Sequence, residues 1–239
     1  MDKKKIVCIA AGFIYAVYIM NLFKGLEVPM NITSILSGVS FSGYEMYYVY
    51  ALFLFAIIVF YGVSDTEGYI TGYGILHVTR RRKRSIVVRN IVIKCIINTI
   101  IVMGIIVLTY IITLKIKEVS YDSRIKKEDI VTICIFMIIM LSLMLWQSLF
   151  EIIWDGRIAV LLTIGLTFVH LWMGDMIKLY EINENWFMVF YTNMGLTLRA
   201  EEIELSAVHC ILSLLAMCTL QIVLVNIAFK KKDIFSIKK

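Results

Sequence analysis

The sequence predicts an all-α, polytopic membrane protein with about six transmembrane helices, arranged as a single transmembrane domain over residues 1–239. Three observations carry this. Hydrophobic residues make up 60% of the chain, more than a water-facing surface can accommodate without large exposed apolar patches. The apolar residues are gathered into long runs close to the ~20 residues that a helix needs to cross a bilayer. Pro29 is the only proline, so helices can run uninterrupted, and the runs lack the short alternating segments of a membrane barrel.

The expected spans are 6–23, 46–63, 91–114, 130–150, 158–173 and 207–229, the fifth being the shortest. The first follows Lys3, Lys4 and Lys5. It is too long for a signal-peptide core and no small-residue cleavage site follows it, so it reads as an uncleaved anchor. Outside the spans, one side of the membrane collects 15 Lys and Arg, at the N-terminus, in the 64–90 loop, at Arg157 and in the tail. The other side collects 8. The positive-inside rule therefore places both termini and the 64–90 loop in the cytoplasm. Acidic residues divide in the opposite sense, 6 inside and 12 outside. The five cysteines, Cys8, Cys95, Cys134, Cys210 and Cys218, lie in or beside apolar runs with no CxxC spacing, so they read as small buried apolar residues and not as disulfide or metal ligands.

The long inner loop is the most distinctive stretch. Ser64 and Glu67 have capping-box spacing, which predicts a short helix starting directly after the second span. Tyr69, Ile70, Tyr73 and Leu76 then recur at helical spacing and form a small apolar face, although Gly68, Gly72 and Gly74 weaken the helix. Arg80, Arg81, Arg82, Lys83 and Arg84 follow as a dense basic run suited to anionic lipid at the inner leaflet. Nucleic acid is excluded as a partner, because the run abuts the third span and no accompanying binding domain exists.

Polar groups inside spans mark candidate interior faces, because they are costly in lipid. Lys94 and Asn98 are four residues apart on one face of the third span, with Lys94 expected to reach towards the inner interface. Gln147 and Glu151 are spaced likewise at the inner end of the fourth, and Gln221 lies in the sixth. Glu151, Asp155 and Arg157 are expected to form a solvated inner turn. In the outer segment 174–206, the run from Trp186 to Tyr191 is too apolar for a simple loop and too short to span, so the segment should be re-entrant or interfacial. His170, His209 and Asp175 lack the H-E-x-x-H spacing of a zinc site, and no metal is expected.

This order of features resembles the small six-span permease subunits of bacterial ABC transporters of the ABC-2 type, particularly those of bacteriocin or lantibiotic export and self-immunity. It comprises a second span, a Tyr/Gly/Ile-containing inner loop, an Arg/Lys run and a third span beginning Ile86-Val87-Val88-Arg89-Asn90. The chain departs from that pattern in carrying His77 and Val78 where relatives tend to have an early Arg, and in having five residues before the first span. The resemblance implies an ABC-2 exporter-like fold in a bacterial cytoplasmic membrane. It implies that Ser64, Glu67, Tyr69, Ile70, Tyr73 and Leu76 form a coupling element docking on a separate cytoplasmic ABC ATPase, and that the chain pairs with itself or with a second permease. Trp186, Phe187, Phe190 and Tyr191 would then form the outer gate, with Lys94, Asn98, Gln147 and Gln221 as intramembrane polar positions. The cargo would be a hydrophobic or antimicrobial peptide or a lipid-like molecule. No G-x-x-x-x-G-K-[ST] loop occurs to cradle ATP. The chain is therefore not expected to be an enzyme or to hold a cofactor itself, with ATP and Mg on the partner. The alternative is a non-transporting membrane receptor, immunity or scaffold protein.

Overall fold

A computed structural model describes residues 55–70, 84–117 and 127–232, together with residues 6, 7, 10–12, 14 and 36. The described residues are mostly helical and include no strand. A helical segment at 55–62 turns into α1 (Glu67–Ile70), followed by α2 (Arg84–Lys117), α3 (Lys127–Ile153), α4 (Gly156–Leu179), α5 (Thr197–Glu202) and α6 (Ala207–Lys231). Two 3-10 turns, Glu184–Met188 and Tyr191–Gly195, lie between α4 and α5.

Four of these helices are long and apolar enough to cross a membrane: Ser85–Thr109, Asp129–Ile153, Gly156–Leu179 and Ala207–Lys231. They correspond to the expected third to sixth spans. The expected first span lies largely outside the described residues, and the second is described only from residue 55. Their outward faces carry large apolar side chains such as Leu108, Leu161 and Leu212, all more than half exposed. Such a surface suits hydrocarbon and not water, which makes the chain a membrane protein.

The spans differ from expectation at their ends. Helix α2 has 34 residues, about 51 Å at 1.5 Å per residue, and so outruns a hydrocarbon core of about 30 Å. Helix α4, expected at 158–173, continues to Leu179. It passes through Asp175 and Lys178 because both charges are satisfied, Asp175 by Arg199 at 3.1 Å and Lys178 Nζ by the carbonyl of Glu202 at 2.9 Å. Its start is fixed by Asp155, whose carboxylate accepts from the N–H groups of Arg157 and Ile158, both at 2.9 Å, as an N-cap.

Helix α3 is the axis of the bundle, packing against α2, α4 and α6. Ile135, Phe136, Ile139, Met140, Leu143 and Leu145 are all essentially inaccessible, and they point in too many directions for one amphipathic stripe. Of the cysteines, Cys95, Cys210 and Cys218 are buried free thiols, whereas Cys134 is exposed on the flank of α3.

Candidate functional site

Two buried polar junctions hang on the C-terminal half of α3, one at its end and one nearer its middle. The first begins where the chain leaves the 55–62 helix. Ser64 adopts a left-handed backbone, φ 63°, unfavourable for a residue with a Cβ. The turn aims three backbone N–H groups at one acceptor. Ser64 donates to Glu151 Oε1 at 2.8 Å, while Thr66 and Glu67 donate to Glu151 Oε2 at 2.9 and 3.2 Å. Gln147 Nε2 adds a fourth donor to Oε1 at 3.1 Å. Glu151 is 2% exposed.

This arrangement corrects two expectations. Glu151 is not part of a solvated turn, because four donors replace its water and make burial of the carboxylate tolerable. The short helix at 67–70 has its leading N–H groups taken by that distant carboxylate, where the spacing of Ser64 and Glu67 suggested a local capping box.

Asp65 is held from the other side. Lys94 Nζ lies 2.9 Å from Asp65 Oδ1, and Asn98 Nδ2 donates to Oδ2 at 2.7 Å. The four-residue spacing on α2 thus presents a paired cation and amide to one carboxylate. Lys94 also lies 5.7 Å from the centre of the Tyr69 ring, within cation–π range. The ion pair is partly exposed and adds orientation more than stability. Thr66 Oγ1 donates to Ser148 Oγ at 3.0 Å, closing the junction. Lys94, Asn98 and Gln147 are therefore gathered around one turn. Of the expected coupling residues, Ser64, Glu67 and Tyr69 lie here, partly buried, and Ile70 ends α1. Tyr73, Leu76, Arg80, Arg81, Arg82 and Lys83 lie outside the described residues, and Arg84 opens α2.

The second junction is formed by the segment between α4 and α6. It is bounded by Glu181 and Glu204, both left-handed with φ of 50° and 54°. Ile182 N–H donates to Ile177 O and Leu205 N–H to Ala200 O, at 3.0 and 2.9 Å, so each helix before them ends in a Schellman turn. Between these turns the chain runs into the bundle. Tyr191 to Thr197 are all buried.

At the deepest point the Tyr191 hydroxyl receives Trp146 Nε1 at 2.6 Å, Ser142 Oγ at 3.0 Å and Gln221 Nε2 at 3.1 Å. Gln221 Nε2 also donates to Ser142 Oγ at 2.7 Å. Ser142 and Gln221 stand 13 and 14 residues inside the starts of their spans, a depth of about 20 Å. The segment therefore re-enters the helical bundle and meets α3 and α6 well inside their ends. Side-chain hydrogen bonds keep this irregular backbone inside protein, the condition under which it is tolerated at such depth. The expected gate residues separate: Phe187 and Tyr191 are each 1% exposed, Phe190 is partly buried, and Trp186 faces outwards at 51%.

Residues that local pattern did not single out hold the segment in place. Asn193 Nδ2 donates to the carbonyls of His170 and Phe190 at 2.7 and 2.9 Å, and its Oδ1 accepts from Arg199 at 2.7 Å. Arg199 also donates to Leu171 O at 3.0 Å and is 2% exposed. Burial pulls its pKa below the ordinary arginine value, and the Asp175 carboxylate pushes it back up. His170 Nδ1 meets Thr192 Oγ1 at 2.8 Å. Nothing local in the sequence distinguishes Arg199 from a surface charge, because its partner Asp175 lies on another helix.

Tyr191→Phe removes the oxygen shared by three donors and leaves the Trp146 N–H facing carbon. It is expected to cost about 1–2 kcal/mol, read as a lower melting temperature in detergent with helix content unchanged.

A family model matches residues 6–235, nearly the whole chain. The chain belongs to that family, Protein of unknown function (DUF2705). The matched range takes in all four apolar helices and both junctions. Comparison with curated proteins and with solved structures finds no match. Among the described residues no three His, Cys, Asp or Glu side chains are grouped to hold a metal ion.

Proposed function

We propose that this chain is the membrane-spanning permease subunit of an ATP-driven ABC transporter of the ABC-2 type, with residues 64–70 coupling it to a separate cytoplasmic ATPase. The supporting observation is the clamp on that turn: Glu151 of α3 takes three of its N–H groups, and Lys94 and Asn98 of α2 hold Asp65. A coupling element must not slide on its own helices. Held by the Glu151 carboxylate of α3 and by Lys94 and Asn98 of α2, this one passes displacement directly to α3. The same helix meets Tyr191 through Ser142 and Trp146, so one rigid rod joins the coupling turn to the re-entrant segment. In this reading the 64–70 end is cytoplasmic, both termini lie on that side, and the chain works as a homodimer or a heterodimer with a second permease in a bacterial cytoplasmic membrane. Six spans, an outer gate at Phe187, Phe190 and Tyr191, and a hydrophobic or antimicrobial peptide or lipid-like cargo complete the reading.

Tyr69 is a poor test position, because it packs inside the junction under Lys94. Gly68 is better. It is exposed, and a Cβ built there meets nothing within 4 Å. Gly68→Trp should leave melting temperature unchanged, or slightly raised as a helix-weakening glycine is removed, while reducing co-purification of a co-expressed ABC ATPase by at least about tenfold. Wild-type chain that recovers no ATPase, or a Gly68→Trp variant that recovers it fully, overturns the coupling role. The former result favours a non-transporting receptor, immunity or scaffold protein.

A further inference from the structure

At the end of the bundle that carries Glu151, α3 and α6 diverge around a cleft of about 450 Å³, within the ~300–1,000 Å³ range of small-ligand sites. Its walls are Leu149, Ile152 and Ile153 from α3 and Leu224, Ile227 and Ala228 from α6. Its mouth is different in chemistry: Lys231 and Lys232 line it, and Lys232 Nζ reaches across to the carbonyl of Ile153 at 3.3 Å. Ile153 and Ile227 are 46% and 44% exposed, so the cleft opens on the lipid-facing flank. Trp154, 48% exposed, follows directly after α3, at the level where indole rings favour the headgroup boundary.

We infer that this cleft is a binding site for one anionic phospholipid, with an acyl chain between α3 and α6 and the phosphate on Lys231 and Lys232. The charge pattern selects the occupant. A free anion gains nothing from six aliphatic walls, and a basic peptide or a second copy of the chain would bring more positive charge to two ammonium groups. An amphiphile with an apolar tail and an anionic head matches both halves. Lys232 contributes twice, neutralising the exposed end of α3 and presenting its remaining N–H donors to the head. The inference rests on the membrane placement of the four helices and is independent of the permease reading.

The test is native mass spectrometry of the full chain purified in mild detergent and titrated with phosphatidylglycerol or phosphatidylcholine. Wild type should retain phosphatidylglycerol at least about tenfold more tightly than phosphatidylcholine. Lys231→Gln/Lys232→Gln should abolish that preference, since each lysine near a lipid surface contributes at a level that makes two worth more than tenfold. Ile227→Trp, which fills the mouth and keeps both charges, should also displace the lipid. Lys238→Gln/Lys239→Gln changes net charge equally and should leave retention intact. Equal retention of the two lipids by wild type, retention by the Ile227→Trp variant, or an equal loss in the Lys238→Gln/Lys239→Gln control would overturn the site. The last of these would leave only diffuse attraction to the basic tail.

Discussion

Glu151→Ala is expected to cost about 3–5 kcal/mol, because it strands buried donors and not because it removes a charge. The N–H groups of Ser64, Thr66 and Glu67 and the Gln147 amide all lose their acceptor together. Thr66 and Gln147 are 3% and 2% exposed, so water cannot replace the carboxylate without opening the junction. Glu151→Gln should cost about half as much, since one oxygen can still accept while the new NH₂ faces donors. Differential scanning in detergent reads the stability. A local readout separates unclamping from general damage: Thr66→Cys, inert to a water-soluble maleimide in the otherwise native chain, should label readily once Glu151 is alanine. Unchanged labelling would mean that the turn is held by Lys94, Asn98 and Asp65 without the carboxylate. In the permease reading the same variant should retain ATPase binding poorly, because the turn that binds would no longer be fixed on α3.

The helices and half of this junction were legible in sequence. Long apolar runs marked α2, α3, α4 and α6, and the four-residue spacings of Lys94 with Asn98 and of Gln147 with Glu151 marked candidate interior faces, although the same pattern placed Lys94 at the inner interface and Glu151 in a solvated turn. What they turn towards was not legible. Residues 64–67 lie more than 80 positions from Glu151, and no periodicity encodes a partner at that separation. Capping-box spacing at Ser64 and Glu67 proposed a local solution to a problem that the fold solves at long range. Helix α4 shows the same failure in another form. Hydropathy ended it at 173 because Asp175 and Lys178 look like loop residues, and only their partners in 199–202 make helix tenable there. The aromatic run at 186–191 was recognisable as neither loop nor span, but the depth to which Tyr191 descends depends on Ser142, Trp146 and Gln221 from two other helices.

The second large effect concerns the residue that lets the re-entrant segment approach α4. Gly174 faces the Asn193 side chain so closely that a Cβ there would overlap all three amide atoms. Asn193 is fully buried and cannot swing away without releasing the carbonyls of His170 and Phe190 and the guanidinium of Arg199. Gly174→Ala is therefore expected to cost about 3 kcal/mol, overpacking and lost hydrogen bonds combined. That outcome opposes the usual gain from replacing a mid-helix glycine. Gly165, on the same helix with nothing within 4 Å of a built Cβ, supplies the control: Gly165→Ala should stabilise by about 0.5–1 kcal/mol. A double-mutant cycle locates the cause. Asn193→Ala alone should be destabilising, but adding Gly174→Ala to it should cost far less than in the native background, because the two substitutions damage the same contact. Strict additivity would place the penalty elsewhere on α4. Marked sub-additivity would show that one glycine, invisible to hydropathy and to helix propensity alike, sets how far the re-entrant segment can enter the bundle.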